Sequence, residues 1–396
     1  MVLTDKQSKG LDLAIQRFRD KEKYTVIAGY AGTGKSTLVK FIVNALLNEG
    51  VKKRDIVFCS YTGKATLVLQ QKGNDNAMTL HKLLYDSFPR PDGSFYRKPK
   101  IALGYRVIIV DECSMMPKEM MALLLSHSGI YCIFTGDPGQ LPPVDRNANN
   151  HLLDKPDIFL DEIMRQAAES DIIQLSLAIR EGKDLKVFKG SDAIVMTYKE
   201  FNTGVMQWAD QILCATNKTR VALNNQMREI LGRGPEPEEG DRLICLRNYD
   251  DYCSINGNSL VNGVTGTVKN CYKSFVRVPK FLGNYKDIDT LEGEFFSDDN
   301  DYYGNLMMDY KEITTGERCL SNKDIYKISR NRIGRSYIPM EFTYGYAITT
   351  HKSQGSEWPK VLVVEERFPF DQEEHQRWLY TAVTRSSEKL VVVLKD

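Results

Sequence analysis

Residues 23–48 read KYTVIAGYAGTGKSTLVKFIVNALLN, and this stretch decides the fold of the first part of the chain. An apolar run of strand type leads into a glycine-rich turn, and a helical pattern then extends from Lys35 to about Asn48. The spacing Gly29-x4-Gly34-Lys35-Ser36 is typical of a phosphate-binding loop, which needs a strand before it and a helix after it. The stretch therefore predicts a strand–loop–helix unit with a phosphate site at the loop.

Apolar runs of strand type recur after this unit and alternate with helical patterns. The strand candidates are residues 55–62, 106–112, 131–137, 192–198, 211–217, 360–366 and 389–396. The helical candidates are residues 119–127, 218–232, around 344–352, and 372–386. Strands that alternate with helices predict an α/β fold with parallel sheets, and wholly apolar strands fit sheets covered on both faces.

Two stretches interrupt this pattern. Residues 86–100 contain Pro, Asp-Gly and Ser between aromatic residues, which predicts a short hairpin. Residues 248–335 contain short strand-like runs among Gly, Asn, Asp and Tyr, which predicts a small inserted β-domain. We therefore expect a first core at 1–155 and a second core formed by 156–247 and 336–396.

The bulk composition excludes several classes of protein. The chain has 396 residues, of which 42% are hydrophobic and 27% are charged, so it has enough apolar material for sizeable cores. It contains no run of about 18 apolar residues, and its start lacks a signal-peptide pattern, so we expect no membrane span and a cytoplasmic location. The eight cysteines include no C-x-x-C pair, which argues against a zinc finger. The net charge of +1 means that any phosphate track must be local.

The glycine-rich loop supplies the first candidate site residues. Its glycines let backbone N–H groups approach phosphate oxygens, and Lys35 would neutralise the β- and γ-phosphates. Ser36 would bind Mg²⁺ together with Asp111, which ends an apolar strand, and Glu112 would orient or deprotonate the attacking water. The candidate nucleotide contacts are Gly32, Thr33, Gly34, Lys35, Ser36 and Thr37.

Two glutamines have competing interpretations. Gln140 follows the strand at 131–137 and would sense the γ-phosphate, although the surrounding Gly-Asp-Pro-Gly is also turn chemistry. Gln7 stands three residues after Thr4, so it either forms a capping box or recognises adenine. The phosphate-binding loop alone does not choose between kinase, GTPase, ATPase and motor.

The order of motifs along the chain resembles that of superfamily-one helicases of type B, the RecD/Dda-like group. The matching stretches are GYAGTGKST (29–37), SYTGKAT (60–66), TLHKLL (79–84), VDECSM (110–115), GDPGQLPPV (136–144), LDEIMRQ (160–166), YGYAITTHKSQGSEW (344–358) and LYTAVTRSSEKL (379–390). Singly most of these stretches are weak signals, but eight in family order are specific. The resemblance covers nearly the whole chain.

This resemblance implies two RecA-like core domains with ATP between them. Arg165 and Arg385 of the second core would then act as arginine fingers, which are worth roughly 10³–10⁵ in rate in related phosphoryl transfer. Gly355 and Glu357 would face the nucleotide, Glu357 through the ribose.

The resemblance also implies a track for DNA across both cores. Thr62, Lys64 and His81 would contact it from the first core, and His81 is equally well interpreted as a packing residue. Thr349, His351 and Ser353 would supply hydroxyl and imidazole groups to phosphate oxygens from the second. The hairpin resembles a strand-separating pin with Phe95 or Tyr96 at its tip, and the insert resembles an SH3-like module.

The expected activity is that of an ATP- and Mg²⁺-dependent DNA helicase that moves 5′→3′, a polarity that comes from the resemblance alone. The expected partners are single-stranded DNA and DNA forks, with replication or recombination proteins as further candidates, and we expect a monomer. The alternatives are an RNA-directed or mixed translocase, a phosphotransferase for a small molecule, and a scaffold without turnover. Intact Lys35, Asp111, Glu112, Arg165 and Arg385 argue against the scaffold.

Overall fold

The structure is a computed structural model that describes residues 3–89, 95–143, 148–164, 169–279, 285–329, 337–369 and 371–395. Its strands, numbered in chain order, are β1 (Tyr24–Gly29), β2 (Ile56–Ser60), β3 (Met78–Thr79), β4 (Tyr85–Pro89), β5 (Phe95–Pro99), β6 (Val107–Val110), β7 (Tyr131–Gly136), β8 (Ile158–Leu160), β9 (Phe188–Lys189), β10 (Ala193–Thr197), β11 (Gln211–Cys214), β12 (Arg242–Cys245), β13 (Tyr249–Cys253), β14 (Ser259–Leu260), β15 (Thr265–Pro279), β16 (Tyr285–Ser297), β17 (Tyr302–Asp309), β18 (Phe342–Tyr344), β19 (Ala347–Thr349), β20 (Trp358–Val364) and β21 (Ser386–Leu394).

The helices, also numbered in chain order, are α1 (Asp5–Arg19), α2 (Lys35–Asn48), α3 (Gly63–Gln71), α4 (Leu80–Leu84), α5 (Lys118–Ser126), α6 (Asp171–Arg180), α7 (Thr203–Trp208), α8 (Asn217–Ile230), α9 (Tyr310–Thr315), α10 (Asn322–Ser329), α11 (Thr350–Ser353) and α12 (Gln372–Val383). Within the described residues, the helices are too short or too polar to cross a lipid bilayer.

Contacts between residues divide the chain into two compact units. The first unit contains residues 1–85, 99–215 and 349–396, and the second contains residues 86–98 and 216–348. The first sheet and most strands of the second lie in the first unit, and the predicted hairpin and insert lie in the second. The predicted domain bounds follow a different division, and they stay a prediction.

The first sheet of the first unit has the strand order β3-β2-β6-β7-β1-β8, and its strand pairs are parallel. Alternate strand residues point to opposite faces. Ile27 packs with α1 and α2 on one face, whereas Val26 packs with α4 and α5 on the other. The α/β prediction is therefore confirmed. Strand β8 pairs with β1, so this sheet extends past residue 155, where we expected the first core to end.

The second sheet of the first unit has the order β11-β20-β21-β10-β9 for the strands that lie wholly within that unit. The pairs β11–β20, β20–β21 and β10–β21 are parallel, and β9 is antiparallel to β10. The helix expected around 344–352 is wrong for most of its length: Ala347–Thr349 is a strand, and only Thr350–Ser353 is helical. The β-branched Ile348 and Thr349 favour the extended conformation there.

The parallel arrangement sets where the candidate site residues lie. Strands β6, β7 and β1 are neighbours, and each runs in the same direction. Because the carboxyl ends of parallel strands meet at one edge of a sheet, the loops after Gly29, Val110 and Gly136 come together. The glycine-rich loop, the acidic pair and the loop of Gln140 are therefore neighbours in space.

The second unit contains an antiparallel sheet with the order β17-β16-β15-β12-β18. We expected β12 and β18 in the second core, but both pair inside this sheet. At its base the fully buried Asp241 accepts hydrogen bonds from Arg228 Nε at 3.1 Å and from the Tyr346 hydroxyl at 2.9 Å. A buried carboxylate needs such partners, because an unpaired charge in the interior is costly. A β-rich insert is therefore present, and its SH3-like character stays a prediction.

Candidate nucleotide site and nucleic-acid interface

The glycine-rich loop has the geometry that a phosphate cradle needs. Strand β1 ends at Gly29 and helix α2 begins at Lys35, so the loop ends at a helix N-terminus. Gly34 has φ of 82°, and a Cβ atom added there would lie 2.5 Å from Gln7 Nε2. The left-handed conformation strains any other residue there, and a side chain would also displace the Gln7 amide. The backbone N–H groups of such a loop bind anions, which the helix dipole also favours.

Polar side chains of the loop lie close to its backbone. Lys35 Nζ donates to the carbonyl oxygens of Gly29 at 2.6 Å and Tyr30 at 2.9 Å, so the ammonium group lies over the loop. The Thr33 hydroxyl donates to Tyr30 O at 2.8 Å. Ser36 is exposed and Thr37 is half-buried in the first turn of α2. The ammonium and the Ser36 hydroxyl are therefore available to a phosphate or its metal ion.

Gln7 forms the capping box, one of the two interpretations that the sequence left open, and its side-chain amide also lies against the glycine-rich loop. It forms the capping box, because Thr4 Oγ1 accepts from Gln7 N at 3.2 Å and Gln7 Oε1 accepts from Thr4 N at 3.0 Å. Its Nε2 atom lies 3.4 Å from Thr33 O and 3.5 Å from Gly34 O. The cap thus fixes an amide group against the loop, and contact with adenine stays a prediction.

Asp111 and Glu112 follow β6 at the same edge of the sheet. Asp111 Oδ1 accepts from the Thr135 hydroxyl at 2.6 Å and from Glu112 N at 3.0 Å. Two donors on one oxygen orient the carboxylate, and carboxylate oxygens are the ligands that Mg²⁺ prefers. The arrangement fits an acidic ligand that holds Mg²⁺ or its water shell.

Glu112 is a strongly perturbed carboxyl group of the site. Its backbone is left-handed, with φ of 52°. Its Oε2 atom is enclosed and accepts no hydrogen bond from the described part of the chain. Burial raises the pKa of Glu112 to about 7, against the opposing charges of Arg385 and Lys35. A carboxyl group with this pKa can exchange a proton with water near neutral pH, as a general base must.

The raised pKa of Glu112 predicts a pH-dependent cost to stability. Because the folded protein holds this proton more tightly than the unfolded chain, stability falls as the pH rises from about 4.5 to about 7. Glu112→Gln cannot ionise and should raise the Tm at pH 8 by about 2–4 °C for each kcal/mol of relieved cost, roughly 1–3 kcal/mol in all. The difference should vanish near pH 4.5. Thermal melts across this range test it.

The control for this measurement is Glu119→Gln, which changes an exposed glutamate on α5 in the same way. It should leave the Tm difference from the unaltered protein independent of pH. A Glu112→Gln protein that melts below the unaltered protein at pH 8 would contradict the assignment of a strained carboxylate.

Arg385 is buried, with an exposed fraction of 4%, and belongs to the second sheet's side of the first unit. Its Nε donates to Thr381 O at 3.1 Å and its Nη1 to Ser356 O at 3.3 Å, which fixes the guanidinium. Its charge lowers the pKa of Glu112, so the two groups lie near each other. Arg165, the other predicted finger, lies outside the described residues.

Three further nucleotide candidates lie in loops. Gln140 is half-buried in a turn closed by its own N–H, which donates to Asp137 O at 3.2 Å. Gly355 has φ of 80°, and a Cβ atom added there would lie 2.7 Å from the Cβ of Ala65 in α3. Glu357 is exposed, and its charge raises the pKa of Glu112. The loop after α11 therefore touches the first sheet's helices beside the acidic pair.

Sequence patterns did not single out the residues that join the two sheets. The hydroxyl of Tyr380 in α12 accepts from Ala31 N at 2.9 Å and donates to Asp137 Oδ2 at 2.7 Å. The guanidinium of Arg180 lies 3.6 Å from the ring centroid of Tyr30. Tyr380 stands five residues before Arg385 in the same motif, and this proximity is the one signal that could have pointed to it.

The first-core candidates for DNA contact differ in exposure. Thr62 is the N-cap of α3, and its hydroxyl accepts from Ala65 N at 3.2 Å, so it caps this helix. Lys64 is buried, with an exposed fraction of 6%. His81 is half-buried, and the centroid of its ring lies 5.4 Å from the ring centroid of Tyr61. These contacts describe the residues' places in the fold, and their contacts with DNA stay predictions.

The second-core candidates are more enclosed than the sequence suggested. Thr349 precedes α11 with an exposed fraction of 9%, and His351 is half-buried. Burial lowers the pKa of His351, against the charge of Glu374. Ser353 is fully buried, and its hydroxyl donates to Thr350 O at 2.8 Å. Thr349 and His351 have some access to solvent, whereas Ser353 faces the interior.

The hairpin of β4 and β5 lies in the second unit and carries an aromatic pair. The rings of Phe88 and Tyr96 are stacked with centroids 6.3 Å apart, and the two residues are 51% and 48% exposed. The backbone of Phe95 begins β5, but its side chain lies outside the described residues. Of the two aromatic residues predicted at the tip, only the side chain of Tyr96 is described, and it pairs with Phe88.

Two family models match the chain. Residues 3–195 match an AAA domain, and residues 344–393 match a UvrD-like helicase C-terminal domain. The first match covers the glycine-rich loop, the acidic pair and Gln140. The second covers α11, α12 and Arg385.

Curated relatives match over different shares of the chain. The ATP-dependent RecD2 DNA helicase of Deinococcus radiodurans is 27% identical over 93% of this chain and 46% of its own length. The ATP-dependent DNA helicase dda of Enterobacteria phage T4 is 27% identical over 46% of this chain and 43% of its own length. The chain thus spans less than half the length of either relative.

Solved structures share the fold over nearly the whole chain. The Pif1 helicase of Candida albicans covers 99% of this chain and 94% of its own with 19% identity and a TM-score of 0.55. The Pif1 helicase from Bacteroides in complex with ADP-AlF3 and ssDNA covers 99% and 92% with 18% identity and a TM-score of 0.53. With the matched family models and the motifs in order, these likenesses show that the chain is similar to superfamily-one helicases of the RecD, Dda and Pif1 type.

Proposed function

We propose that the protein is an ATP-dependent DNA helicase that translocates along single-stranded DNA in the 5′→3′ direction. The observation that carries this proposal is that elements of both sheets meet around the glycine-rich loop and the acidic pair, where the Tyr380 hydroxyl accepts from Ala31 N at 2.9 Å and Gly355 packs against Ala65. Lys35 of the first sheet and Arg385 of the second sheet both lower the pKa of Glu112. A triphosphate between them would be held by both sheets, so its hydrolysis would be linked to their relative movement.

The nucleotide would be ATP with Mg²⁺. The phosphates would bind the backbone and side chains of residues 32–37, and Gln7 would lie beside the adenine. Gly355 and Glu357 would approach the nucleotide from the other side, Glu357 at the ribose. Ser36 and Asp111 would hold Mg²⁺, which when bound neutralises phosphate charge and draws electron density from the bond that breaks.

The protein's own groups would divide the chemical work. Glu112 would take a proton from the attacking water, for which a pKa of about 7 is well matched. Lys35 and Arg385 would stabilise the charge that develops on the γ-phosphate and the leaving oxygen. Gln140 would contact the γ-phosphate, and Arg165 would act as a second finger.

The DNA track would cross both sheets of the first unit. We propose Thr62 and His81 as contacts from the first sheet's side, and Thr349 and His351 from the second. The buried Lys64 and Ser353 are better suited to supporting the loops that carry these contacts. RecD2 and dda are DNA helicases by name, and the Bacteroides Pif1 complex contains ssDNA, which supports DNA over RNA as the substrate.

The hairpin would separate the duplex, with the Phe88–Tyr96 pair against the last base pair. Stacking on a base is worth about 1–3 kcal/mol. Tyr96→Ala should therefore slow the unwinding of a fork about tenfold, while ATPase stimulation by single-stranded DNA changes less than about twofold. Strand-separation and ATPase assays on the same preparation measure both rates.

Tyr198→Ala is the matched control for the hairpin, because Tyr198 is 54% exposed and its ring contacts Phe201 with centroids 5.5 Å apart. It should leave both rates unchanged. If Tyr96→Ala lowered unwinding and ATPase stimulation equally, the hairpin would not be the strand-separating element.

The experiment that tests the function compares two forks of the same duplex sequence, one with only a 5′ single-stranded tail and one with only a 3′ tail. We expect ATP-dependent unwinding of the 5′-tailed fork and little of the other. Preference for the 3′ tail would overturn the polarity alone. ATP turnover that no DNA or RNA oligomer stimulates would overturn the helicase proposal and favour a phosphotransferase.

A further inference from the structure

A buried set of hydrogen bonds joins the second sheet's elements to the loop that carries Gln140. Tyr380 of α12 is 2% exposed, and its hydroxyl lies between two first-sheet loops. It donates to Asp137 Oδ2 at 2.7 Å and accepts from Ala31 N at 2.9 Å. Burial and the Asp137 charge raise the pKa of Tyr380, so the hydroxyl keeps its proton and remains a donor.

The other end of the same loop is held at Leu141. Its N–H donates to the Thr381 hydroxyl at 2.9 Å, and its carbonyl accepts from Gln354 Nε2 at 3.0 Å. Thr381 is fully buried and Gln354 is 3% exposed. The backbone N–H and the carbonyl of Leu141 are thus both held by side chains from the second sheet's side.

Between these two ends the loop has little room to move. Asp137 Oδ1 accepts from Gly139 N at 2.9 Å, which fixes the turn. A Cβ atom added to Gly139 would lie 2.9 Å from a ring carbon of Tyr380, so the phenol ring packs directly on the loop. Gln140 lies between the two anchored points.

We propose that Tyr380, Thr381 and Gln354 are positioning residues that place Gln140 against the nucleotide only while the second sheet is docked on the first. This inference rests on the proposed function and extends it to how the cleft senses closure. Buried hydrogen bonds suit such a role, because Asp137, Ala31 and Leu141 exchange them for contacts with water when the sheets separate, at a net of about 0.5–1.5 kcal/mol for each bond. The loop therefore has its fixed position only in the docked arrangement.

The same contacts connect the loop to the proposed DNA track. Gln354 follows His351 by three residues, and α11 joins them. A shift of this segment when DNA binds would move the Gln354 amide relative to Leu141 O. We therefore expect these residues to determine how strongly DNA stimulates hydrolysis.

The test is Tyr380→Phe, which removes both hydroxyl contacts and keeps the ring that packs on Gly139. The ratio of kcat with single-stranded DNA to kcat without it should fall at least about fivefold, with smaller changes in the KM for ATP and the Kd for DNA. Gln354→Leu, which removes only the donor to Leu141 O, should change the ratio in the same direction. If one of the two variants fails to fold, the other still measures the stimulation ratio.

Tyr131→Phe is the matched control. The Tyr131 hydroxyl also has two buried partners, Thr25 Oγ1 at 2.6 Å and Ala14 O at 2.8 Å, and lies within the first sheet's core. It should lower the Tm and leave the stimulation ratio unchanged. If DNA stimulates the wild type, and if Tyr380→Phe and Gln354→Leu show the same stimulation ratio as the wild type, this inference alone is overturned. A wild type that DNA does not stimulate would overturn the proposed function and the inference with it.

Discussion

Arg385→Ala should lower the kcat of DNA-stimulated ATP hydrolysis by about 10³-fold or more, while ATP still binds. The guanidinium is held by Thr381 O and Ser356 O, and its charge lowers the pKa of Glu112. An arginine finger stabilises charge that exists only in the transition state, and its loss typically costs roughly 10³–10⁵ in rate. Steady-state kinetics gives the loss in kcat, and a fluorescent ATP analogue reports the retained affinity.

Arg377→Ala is the control for this substitution. Arg377 lies on the neighbouring helix α12 and forms an exposed ion pair with Glu373 at 3.0 Å, so its removal tests the loss of one positive charge alone. Its kcat should change less than about twofold, because exposed ion pairs contribute little. Arg385→Lys should recover only part of the rate, since an ammonium cannot reproduce the forked donor geometry. An Arg385→Ala protein with wild-type kcat would leave the second sheet without a role in hydrolysis.

Lys35→Ala should lower DNA-stimulated hydrolysis by at least about 10²-fold and leave the affinity for single-stranded DNA within about threefold. Removal of one preorganised donor from a developing negative charge typically costs 10²–10³ in kcat. The DNA affinity should survive because the proposed DNA contacts lie on other loops. ATPase assays and fluorescence anisotropy with a labelled oligonucleotide measure the two quantities.

Lys40→Ala on the same helix is the matched control, since Lys40 is exposed and lies beyond the first turn of α2. It should behave as the unaltered protein in both assays. Normal turnover by Lys35→Ala would remove the glycine-rich loop from the nucleotide site. A parallel loss of DNA binding would instead indicate that the substitution disturbs the fold.

The parts of the fold that local sequence determines were predictable. The strand, loop and helix around Gly29–Lys35 follow from an apolar run, glycines and a helical period, all within 26 residues of chain. The alternation of strands and helices likewise led to the α/β assignment, which the sheets and the solved structures confirm. The capping box of Thr4 and Gln7 was also readable, because a cap depends on neighbours three residues apart.

What depends on distant neighbours was not predictable from the same patterns. Strands β12 and β18 have the apolar composition of core strands, yet they pair in the antiparallel sheet of the second unit. Their sequences do not indicate which strand each will pair with. The buried Lys64 resembles any solvated lysine in the sequence. Tyr380 becomes informative only when Ala31 and Asp137, both more than 240 positions away, are seen beside its hydroxyl.

The contact at Gly355 has a consequence for engineering. A methyl group there would meet Ala65 at 2.7 Å, well inside the distance at which two carbon atoms repel. Enlarging either residue would therefore push the loop after α11 away from α3 by a small distance. Replacing Ala65 with a larger residue such as valine would therefore test how closely the elements of the two sheets must approach for ATP hydrolysis.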